Sequence, residues 1–126
     1  MSVPNNLKYT KEHEWILVEG NIGTIGVTDY AQGELGDVVY IDIDPSISEI
    51  KKGESIGTIE AVKTVSDIYA PYTGKVIEIN ESLKDSPEDV NSDPYGKGWM
   101  IKVEVSDASE LTDLLDASAY QALIGQ

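Results

Sequence analysis

The sequence predicts one mainly β domain, a small barrel or sandwich with short helices at its edge and at its C-terminus. Short runs rich in β-branched residues recur along the chain, separated by turn residues. Helical periodicity is confined to a few residues after position 28 and to residues 107–125. With 126 residues, 40% of them hydrophobic, the chain can bury one core, so we expect residues 1–126 to form a single domain.

The first third of the chain predicts a hairpin, a short helix and a further strand. EWILV and IGTIGV are the two strands of the hairpin, and the turn between them lies at Glu19 to Asn21. Thr28 can cap a helix of one or two turns that ends at Gly33 or Gly36. DVVYIDID then alternates Val38, Tyr40 and Asp42 with Val39, Ile41 and Ile43. This is the period of a half-buried strand, which Pro45 ends.

The middle of the chain predicts three more strands before a long polar loop. A turn at Lys52-Gly53 precedes ESIGTIEAV, and Gly74 marks the turn between VSDIYAP and GKVIEIN. Alternation in GKVIEIN places Ile77 and Ile79 on one predominantly apolar side. ESLKDSPEDVNSDPYGKG is rich in Pro, Gly, Asn and Asp, which indicates a surface loop, and WMIKVEV is the last strand.

The C-terminal residues change to a helical period. Asp107 and Glu110 resemble a capping box, followed on one helical face by Leu111, Leu114 and Leu115. A second short helix begins near Ser118, carries Tyr120 and ends at Gly125.

The charge of the chain excludes some partners. It has 23 acids, nine lysines and no arginine, and a net charge of −14 repels phosphate backbones and anionic membrane faces. We therefore expect neither nucleic acid nor membrane as a partner. Two interpretations of the acidity stay open, solubility and steering toward partner proteins with basic docking faces.

The absence of cysteine excludes disulfides, cysteine metal sites and protein thiol chemistry. His13 stands without a second histidine nearby, so we expect no metal site and a structural role for its ring. The start of the chain lacks the pattern of a signal or transit peptide, and no apolar run is long enough to span a bilayer. A cytoplasmic protein is expected, or a mature mitochondrial matrix form.

The stretch TIEAVKTVSDIYAP places Lys63 at the turn between two β-rich runs. With Lys63 and Thr64 as a two-residue turn, Glu60 lies opposite Asp67, and both point to solvent because like charges repel. Lys-Thr is a poor pair for such a turn, which favours Asn-Gly. Two interpretations follow: an ordinary exposed lysine, or a lysine that carries an amide-linked cofactor as a swinging arm.

ESIGTIEAVKTVSDIYAPYTGKVIEIN resembles the biotinyl/lipoyl carrier family. The resemblance implies a flattened β-barrel, or barrel-sandwich hybrid, with the modified lysine at one hairpin. Biotin carriers usually have methionine on both sides of that lysine, where this chain has Val62 and Thr64, so a biotin carrier is the less favoured alternative. Lipoyl domains of 2-oxo acid dehydrogenases usually have Asp-Lys-Ala around the modified lysine, and the Val-Lys-Thr of this chain differs from that motif as well.

Further blocks resemble, in order, the glycine cleavage H-protein family over nearly the whole chain. They are LKYTKEHEWI, GVTDYAQGELGDVVYIDI, EAVKTVSDIYAPYTGKVIEIN, VNSDPYGKGWMIKV, and ELTDLL with AY. Ala61 and Thr64 depart from the pattern, which often has serine and alanine at these two positions. The resemblance implies a monomeric, non-catalytic carrier with lipoate covalently attached to Lys63 by a lipoate-attaching enzyme.

The implied partners are three enzymes of glycine catabolism. The arm would receive an aminomethyl group from glycine decarboxylase (P protein) and pass it to a folate-dependent aminomethyltransferase (T protein). Dihydrolipoyl dehydrogenase (L protein) would then restore the disulfide of the arm. One alternative keeps the carrier but makes it a lipoyl donor for other enzymes. Another, a Schiff-base enzyme using Lys63, is disfavoured because that chemistry needs burial or a neighbouring cation.

Three acidic residues are candidates for contact with the carried group or with partner proteins. Glu14 or Asp67 could hold the cationic aminomethyl group in a protected cleft, whereas Glu60 and Asp67 are candidates for recognition by partners. For all three, ordinary solvated or paired charges explain the residues as well.

Overall fold

The computed structural model describes residues 2–126, and the strands in this part of the chain form two sheets packed as a flattened sandwich. The strands are β1 (Lys8–Tyr9), β2 (Glu14–Glu19), β3 (Ile22–Val27), β4 (Val38–Asp42), β5 (Glu49–Ile50), β6 (Ser55–Ala61), β7 (Val65–Tyr69), β8 (Gly74–Ile79) and β9 (Ile101–Val105). The larger sheet has the order β1-β2-β3-β9-β8-β5 and the smaller β4-β6-β7, all pairs being antiparallel. The predicted class is confirmed as a sandwich, since the sheets do not close into a barrel.

Short helices lie at the edges of the sandwich. They are α1 (Asp29–Leu35), α2 (Asp89–Ser92), α3 (Ala117–Leu123) and two 3₁₀ helices, Glu81–Lys84 and Ala108–Asp113. Among residues 2–126, no helix has both the length and the apolar character that crossing a membrane requires.

The core has two parts. The larger lies between the sheets, where fully buried isoleucines meet from both, among them Ile16, Ile25, Ile59, Ile68 and Ile101. Each such side chain contributes about 1.5–3 kcal/mol when it leaves water. The smaller part joins the N-terminal segment to α3 and contains Leu7, Tyr9, Trp15, Ala117 and Tyr120. The chain's two ends are therefore packed together.

Local signals predicted the first third well. The β2–β3 turn contains Gly20 at φ +65°, a conformation that glycine adopts without steric cost. Thr28 caps α1, where its hydroxyl oxygen accepts from the N–H of Ala31 at 3.2 Å. Gly36, at φ +76°, ends the helix.

Two β-bulges interrupt the predicted alternation, at Val38 and Val39 in β4, where Ile41 and Ile43 are buried as predicted, and at Ile77 in β8. In β4 the pairing shifts between Val38 and Tyr40, so Val38 is buried and Val39 is 53% exposed. In β8 the shift lies between Val76 and Glu78, which leaves Ile77 exposed on the wrong side for the predicted apolar face. An extra residue in one strand reverses the inward and outward alternation beyond it.

Gly74 is not the turn between two hairpin strands. β7 belongs to the smaller sheet and β8 to the larger, and Gly74 begins β8 between Ile50 and Val105. A Cβ added at Gly74 would overlap the carbonyl oxygen of Glu104 on β9. The glycine is therefore needed for close approach of two strands.

The predicted polar loop is partly ordered structure. Residues 80–98 contain a 3₁₀ helix and α2, whose Leu83 and Val90 are buried in the core. Each of these short helices buries one apolar residue, and a single residue per helix is too few to reveal a helical period in the sequence.

The first predicted C-terminal helix is a 3₁₀ helix instead of an α-helix. Asp107 caps it by accepting from Ser109 N–H at 3.0 Å, but Leu114 is already extended, so the three leucines do not share a helical face. Glu110 does not complete a capping box, because its carboxylate accepts from the N–H and the hydroxyl of Thr73 at 2.7 and 3.0 Å. The second helix is confirmed as α3.

We expect Gly74→Ala to lower the free energy of unfolding by about 1–3 kcal/mol, because the methyl group meets backbone that cannot move aside. Gly33→Ala is the matched control, since Gly33 lies in α1 with open space around its Cβ position and should gain about 0.5–1 kcal/mol. Urea unfolding of both variants measures the difference. An equal change in the free energy of unfolding in the two variants would contradict the close approach of β8 and β9 at Gly74.

Candidate functional site

Lys63 lies in a turn from Ala61 to Thr64 between β6 and β7, whose two central residues are Val62 and Lys63 and not the predicted Lys63 and Thr64. The first and last residues of the turn are joined by a bond from the N–H of Ala61 to the carbonyl of Thr64, at 2.8 Å. The pairing is shifted by two residues from the expected one, so Glu60 and Asp67 are not opposite each other. A shift of two keeps each side chain on its predicted face but separates these two like charges.

The base of the turn is fixed by neighbouring segments. The N–H of Val62 donates to the carbonyl of Asp37 at 3.0 Å. Asn91, from the polar loop, accepts from the N–H of Val38 at 2.9 Å and donates to the carbonyl of Gly36 at 2.8 Å. The Asn91 amide therefore fixes the segment between α1 and β4, and the N–H of Val62 ties the turn to that segment.

The side chain of Lys63 is exposed and lies over Gly36. Its Cε is 3.4 Å from the position that a Cβ on Gly36 would occupy. The side chains beside it are also exposed, Val62 to 75% and Val65 to 60%. In the part of the chain that the structure describes, the two ion pairs join Lys52 to Asp113 and Lys102 to Glu78, so no carboxylate neutralises Lys63. Its amine is accessible for acylation.

A cleft of about 280 Å³ lies between α1, the N-terminal segment and the strands of the Lys63 hairpin. We call it the α1 cleft, and its lining residues are Glu12, His13, Glu14, Val27, Tyr30, Ala31, Glu34, Leu35, Ile59, Ser66 and Asp67. The lining combines four carboxylates with apolar side chains and contains no lysine. Gly36, under the Lys63 side chain, directly follows Leu35 of this lining. The cleft suits an apolar chain with a cationic end.

Glu14 is buried at the point where the two sheets meet beside this cleft. Its side chain is 2% exposed, and its carboxylate accepts from the hydroxyl of Thr10 at 2.5 Å and from the N–H of Tyr69 on β7 at 3.2 Å. Burial raises the pKa of Glu14 to about 7, although both hydrogen bonds lower it, and the nearby charge of Glu12 raises it further. Near neutral pH this group therefore exists in both protonation states.

Glu14 also lines a second cavity, which is larger than the α1 cleft. It measures about 460 Å³ and includes Lys11, Lys52, Leu114 and Leu115. None of its lining residues comes from α1 or from the turn that carries Lys63. The α1 cleft, lined by the hairpin itself, is thus the better candidate for a group attached to that lysine.

The structure brings together some of the predicted acids and not others. Glu14 and Asp67 both line the α1 cleft, whereas Glu60 lies outside it on the exposed face of the smaller sheet. Sequence reasoning missed Tyr30 and Glu34, although Tyr30, Ala31, Glu34 and Leu35 have the spacing of one helical face. That spacing was the signal that would have found this wall of the cleft.

His13 lies in the α1 cleft and has structural contacts. Its Nδ1 is 2.9 Å from the hydroxyl of Tyr120, and its ring packs at 4.8 Å from the ring of Tyr30. Burial lowers the pKa of His13, so the neutral ring is favoured at pH 7. Over residues 2–126, no three acids or histidines are grouped as metal ligands would be.

Known proteins resemble this chain in both sequence and fold. The family model of the glycine cleavage H-protein matches residues 7–126. A glycine cleavage system H protein from Staphylococcus haemolyticus (strain JCSC1435) is 58% identical over 126 residues, which is 100% of both chains. The crystal structure of a glycine cleavage system H protein from Mycobacterium marinum superposes with a TM-score of 0.90 at 35% identity, covering 98% of this chain and 100% of that one.

We expect Glu14→Gln to flatten the dependence of stability on pH. Between pH 4.5 and 7 the folded chain keeps a proton on Glu14 that the unfolded chain has lost, so the free energy of unfolding falls as pH rises. This group removes about 3 kcal/mol over that window, and glutamine abolishes the loss. Urea unfolding at pH 5 and pH 8 measures it. Glu12→Gln makes the same charge change at an exposed position, and an identical pH dependence in both variants would contradict the assignment.

Proposed function

Because the chain belongs to the glycine cleavage H-protein family, and is thus a carrier subunit of the glycine cleavage system, we propose that it carries lipoate on Lys63. The observation that supports this most directly is the display of Lys63, exposed on a fixed turn with its carbon chain over Gly36. The four-residue turn presents the amine to an attaching enzyme while the sheet behind it stays in place.

The α1 cleft fits the group that the arm would carry. When bound, lipoate supplies a disulfide sulfur that accepts the aminomethyl group of glycine. Val27, Ala31, Leu35 and Ile59 offer apolar contact to the carbon chain, and Glu14 and Asp67 offer carboxylates to the cationic end. A cation beside Glu14 favours its ionised form, which lowers the pKa of that carboxyl. The chain's own part is therefore to hold, orient and shield the group.

In this proposal the chain is a monomeric shuttle with no active site of its own. It takes the aminomethyl group from glycine decarboxylase to the aminomethyltransferase, and dihydrolipoyl dehydrogenase reoxidises the arm. The absence of cysteine supports the plan, because no protein thiol competes for exchange with the arm's disulfide. The net charge of −14 supports partners with basic docking faces.

A Schiff-base enzyme is poorly supported. That chemistry needs a lysine desolvated by burial or placed beside a cation, and Lys63 is exposed at the end of a hairpin. Donation of lipoate to other enzymes uses the same lysine, and a strain that lacks the decarboxylase distinguishes this role from aminomethyl transfer.

Expression in a lipoate-replete host should give a chain whose intact mass includes one lipoyl amide. Lys63→Arg should remove it, because arginine cannot form the amide, whereas Lys75→Arg, at another exposed lysine on a strand, should keep it. Intact-mass spectrometry of the parent protein and the two variants measures the adduct. A biotinyl adduct, or a lipoyl group retained in Lys63→Arg, would show the proposal to be wrong.

Glu14→Gln in the lipoylated protein should speed the spontaneous loss of the aminomethyl group by about ten- to hundredfold, because a buried charge-assisted bond is worth about 1.5–3 kcal/mol. The protein is loaded with glycine and decarboxylase and then isolated, and the released formaldehyde is followed with time. Glu60→Gln is the control, since Glu60 lies outside the α1 cleft and its loss should leave the rate unchanged. Equal rates in all three proteins would place the group elsewhere.

A further inference from the structure

Tyr120 of α3 connects the C-terminus of the chain to both walls of the α1 cleft. Its side chain is fully buried, and its hydroxyl lies 2.9 Å from Nδ1 of His13 and 2.7 Å from the hydroxyl of Thr28. These partners precede it by 107 and 92 residues, so one hydroxyl brings together three distant parts of the sequence. Tyr120 is not itself in the lining of the cleft.

His13 forms the first wall and has an unfavourable backbone conformation. Among residues 2–126 it is the non-glycine residue with positive φ, +70°, which costs a side-chain-bearing residue about 1 kcal/mol or more. Its N–H donates to the carbonyl of Thr10 and its carbonyl accepts from the N–H of Thr28, at 3.1 and 3.0 Å. The backbone is thereby fixed, but the direction of the ring depends on its contacts with Tyr120 and Tyr30.

The second wall of the cleft is α1, and Thr28 caps the N-terminus of this helix. Its hydroxyl accepts from the N–H of Ala31, and the helix that begins there supplies four lining residues of the cleft. The same hydroxyl meets that of Tyr120, so the cap of α1 and the ring of His13 share one partner. A movement of Tyr120 would change the position of one wall relative to the other.

We propose that Tyr120 is a positioning residue for the loaded arm: its hydroxyl sets the separation between His13 and α1, and so how well the cleft shields the aminomethyl group. This inference rests on the proposed function, since it requires the arm of Lys63 to enter the α1 cleft. It assigns to the C-terminal helix a role in retention of the carried group.

A purely structural role is the competing explanation for a buried tyrosine. Tyr120 stacks on Tyr9 with ring centroids 4.6 Å apart and planes within 9°, which stabilises the smaller part of the core. The two roles separate in Tyr120→Phe, because phenylalanine keeps the ring in place and removes both hydrogen bonds. Tyr9→Phe is the matched control, since it removes from the same stack a hydroxyl that bonds the carbonyl of Pro4 at 2.6 Å, away from the cleft.

The first measurement uses the lipoylated, full-length chain loaded with the aminomethyl group. Hydrolysis breaks the carbon–sulfur and carbon–nitrogen bonds of the loaded group: the aminomethyl thioether and one water give a free thiol on the arm, formaldehyde and ammonium. Tyr120→Phe should release formaldehyde about five- to tenfold faster than the parent protein, because one buried hydrogen bond is worth about that factor. Tyr9→Phe should release it at the parent rate.

The second measurement needs no loaded arm. His13 is the chain's one histidine, so the ¹⁵N signals of its ring can be assigned without ambiguity. They should shift in Tyr120→Phe and stay in place in Tyr9→Phe. Thr28→Val removes the hydroxyl that bonds Tyr120 and caps α1, and should accelerate release in the same direction, whereas Thr28→Ser keeps both bonds and should release at the parent rate. This pair of variants provides the test if Tyr120→Phe does not fold.

The outcomes separate the inference from the function on which it rests. A parent rate in Tyr120→Phe, or equal acceleration in Tyr9→Phe, would overturn the positioning role while the arm on Lys63 stands. A protein without lipoate would overturn the proposed function itself, and a loaded group that is lost equally fast before and after unfolding would overturn shielding by the α1 cleft, and the positioning role with it.

Discussion

A buried carboxylate, Glu14, joins the two sheets of the sandwich. It begins β2 of the larger sheet and accepts from the N–H of Tyr69 on β7, which is an edge strand of the smaller one. Without that acceptor the partly buried N–H of Tyr69 would lose its protein partner, at a cost of up to about 1–3 kcal/mol. The same contact between the sheets holds the buried carboxylate in the lining of the α1 cleft.

Burial of the Glu14 carboxylate lowers the stability of the fold and strengthens the attraction of this group for a cation. An ionised carboxylate is least favourable where it is most buried, and an apolar residue at position 14 would relieve that cost. The cationic end of a carried group gains most from a carboxylate in such a place, because the attraction is poorly screened there. Conflicts of this kind are expected at functional sites, where a local rule of folding is broken and the rest of the core compensates.

Sequence reasoning succeeded where the determinant is local. Thr28, Gly20 and Gly36 act within a few residues of themselves, and their caps and turns lie where the sequence predicted them. It failed where the determinant is a partner strand. The bulge at Val39 and the shifted register around Lys63 depend on which strand lies alongside, and neighbouring residues do not encode that.

Some features of the candidate site could likewise be predicted from local sequence, and others depend on contacts between distant residues. Lys63 could be proposed as the attachment site from a motif that is continuous in sequence, and Glu14 and Asp67 could be proposed as partners of a cation. Their convergence on one cleft could not, because Glu14 reaches its partner Tyr69 across 55 residues. The role of Asn91 was hidden within a polar segment, where an amide that bonds two backbone groups resembles any loop residue.

The bonds of Asn91 have a consequence for how far the carrier reaches. Asn91 fixes residues 36–38, and the N–H of Val62 bonds the turn to Asp37 within that segment, so the hairpin has little freedom to bend toward a partner. In the proposed function, the travel of a group on Lys63 comes from rotations within the lysine and the chain attached to it. Such a group would reach only a limited region around one fixed point, and each enzyme that acts on it would have to bring its catalytic pocket to that point.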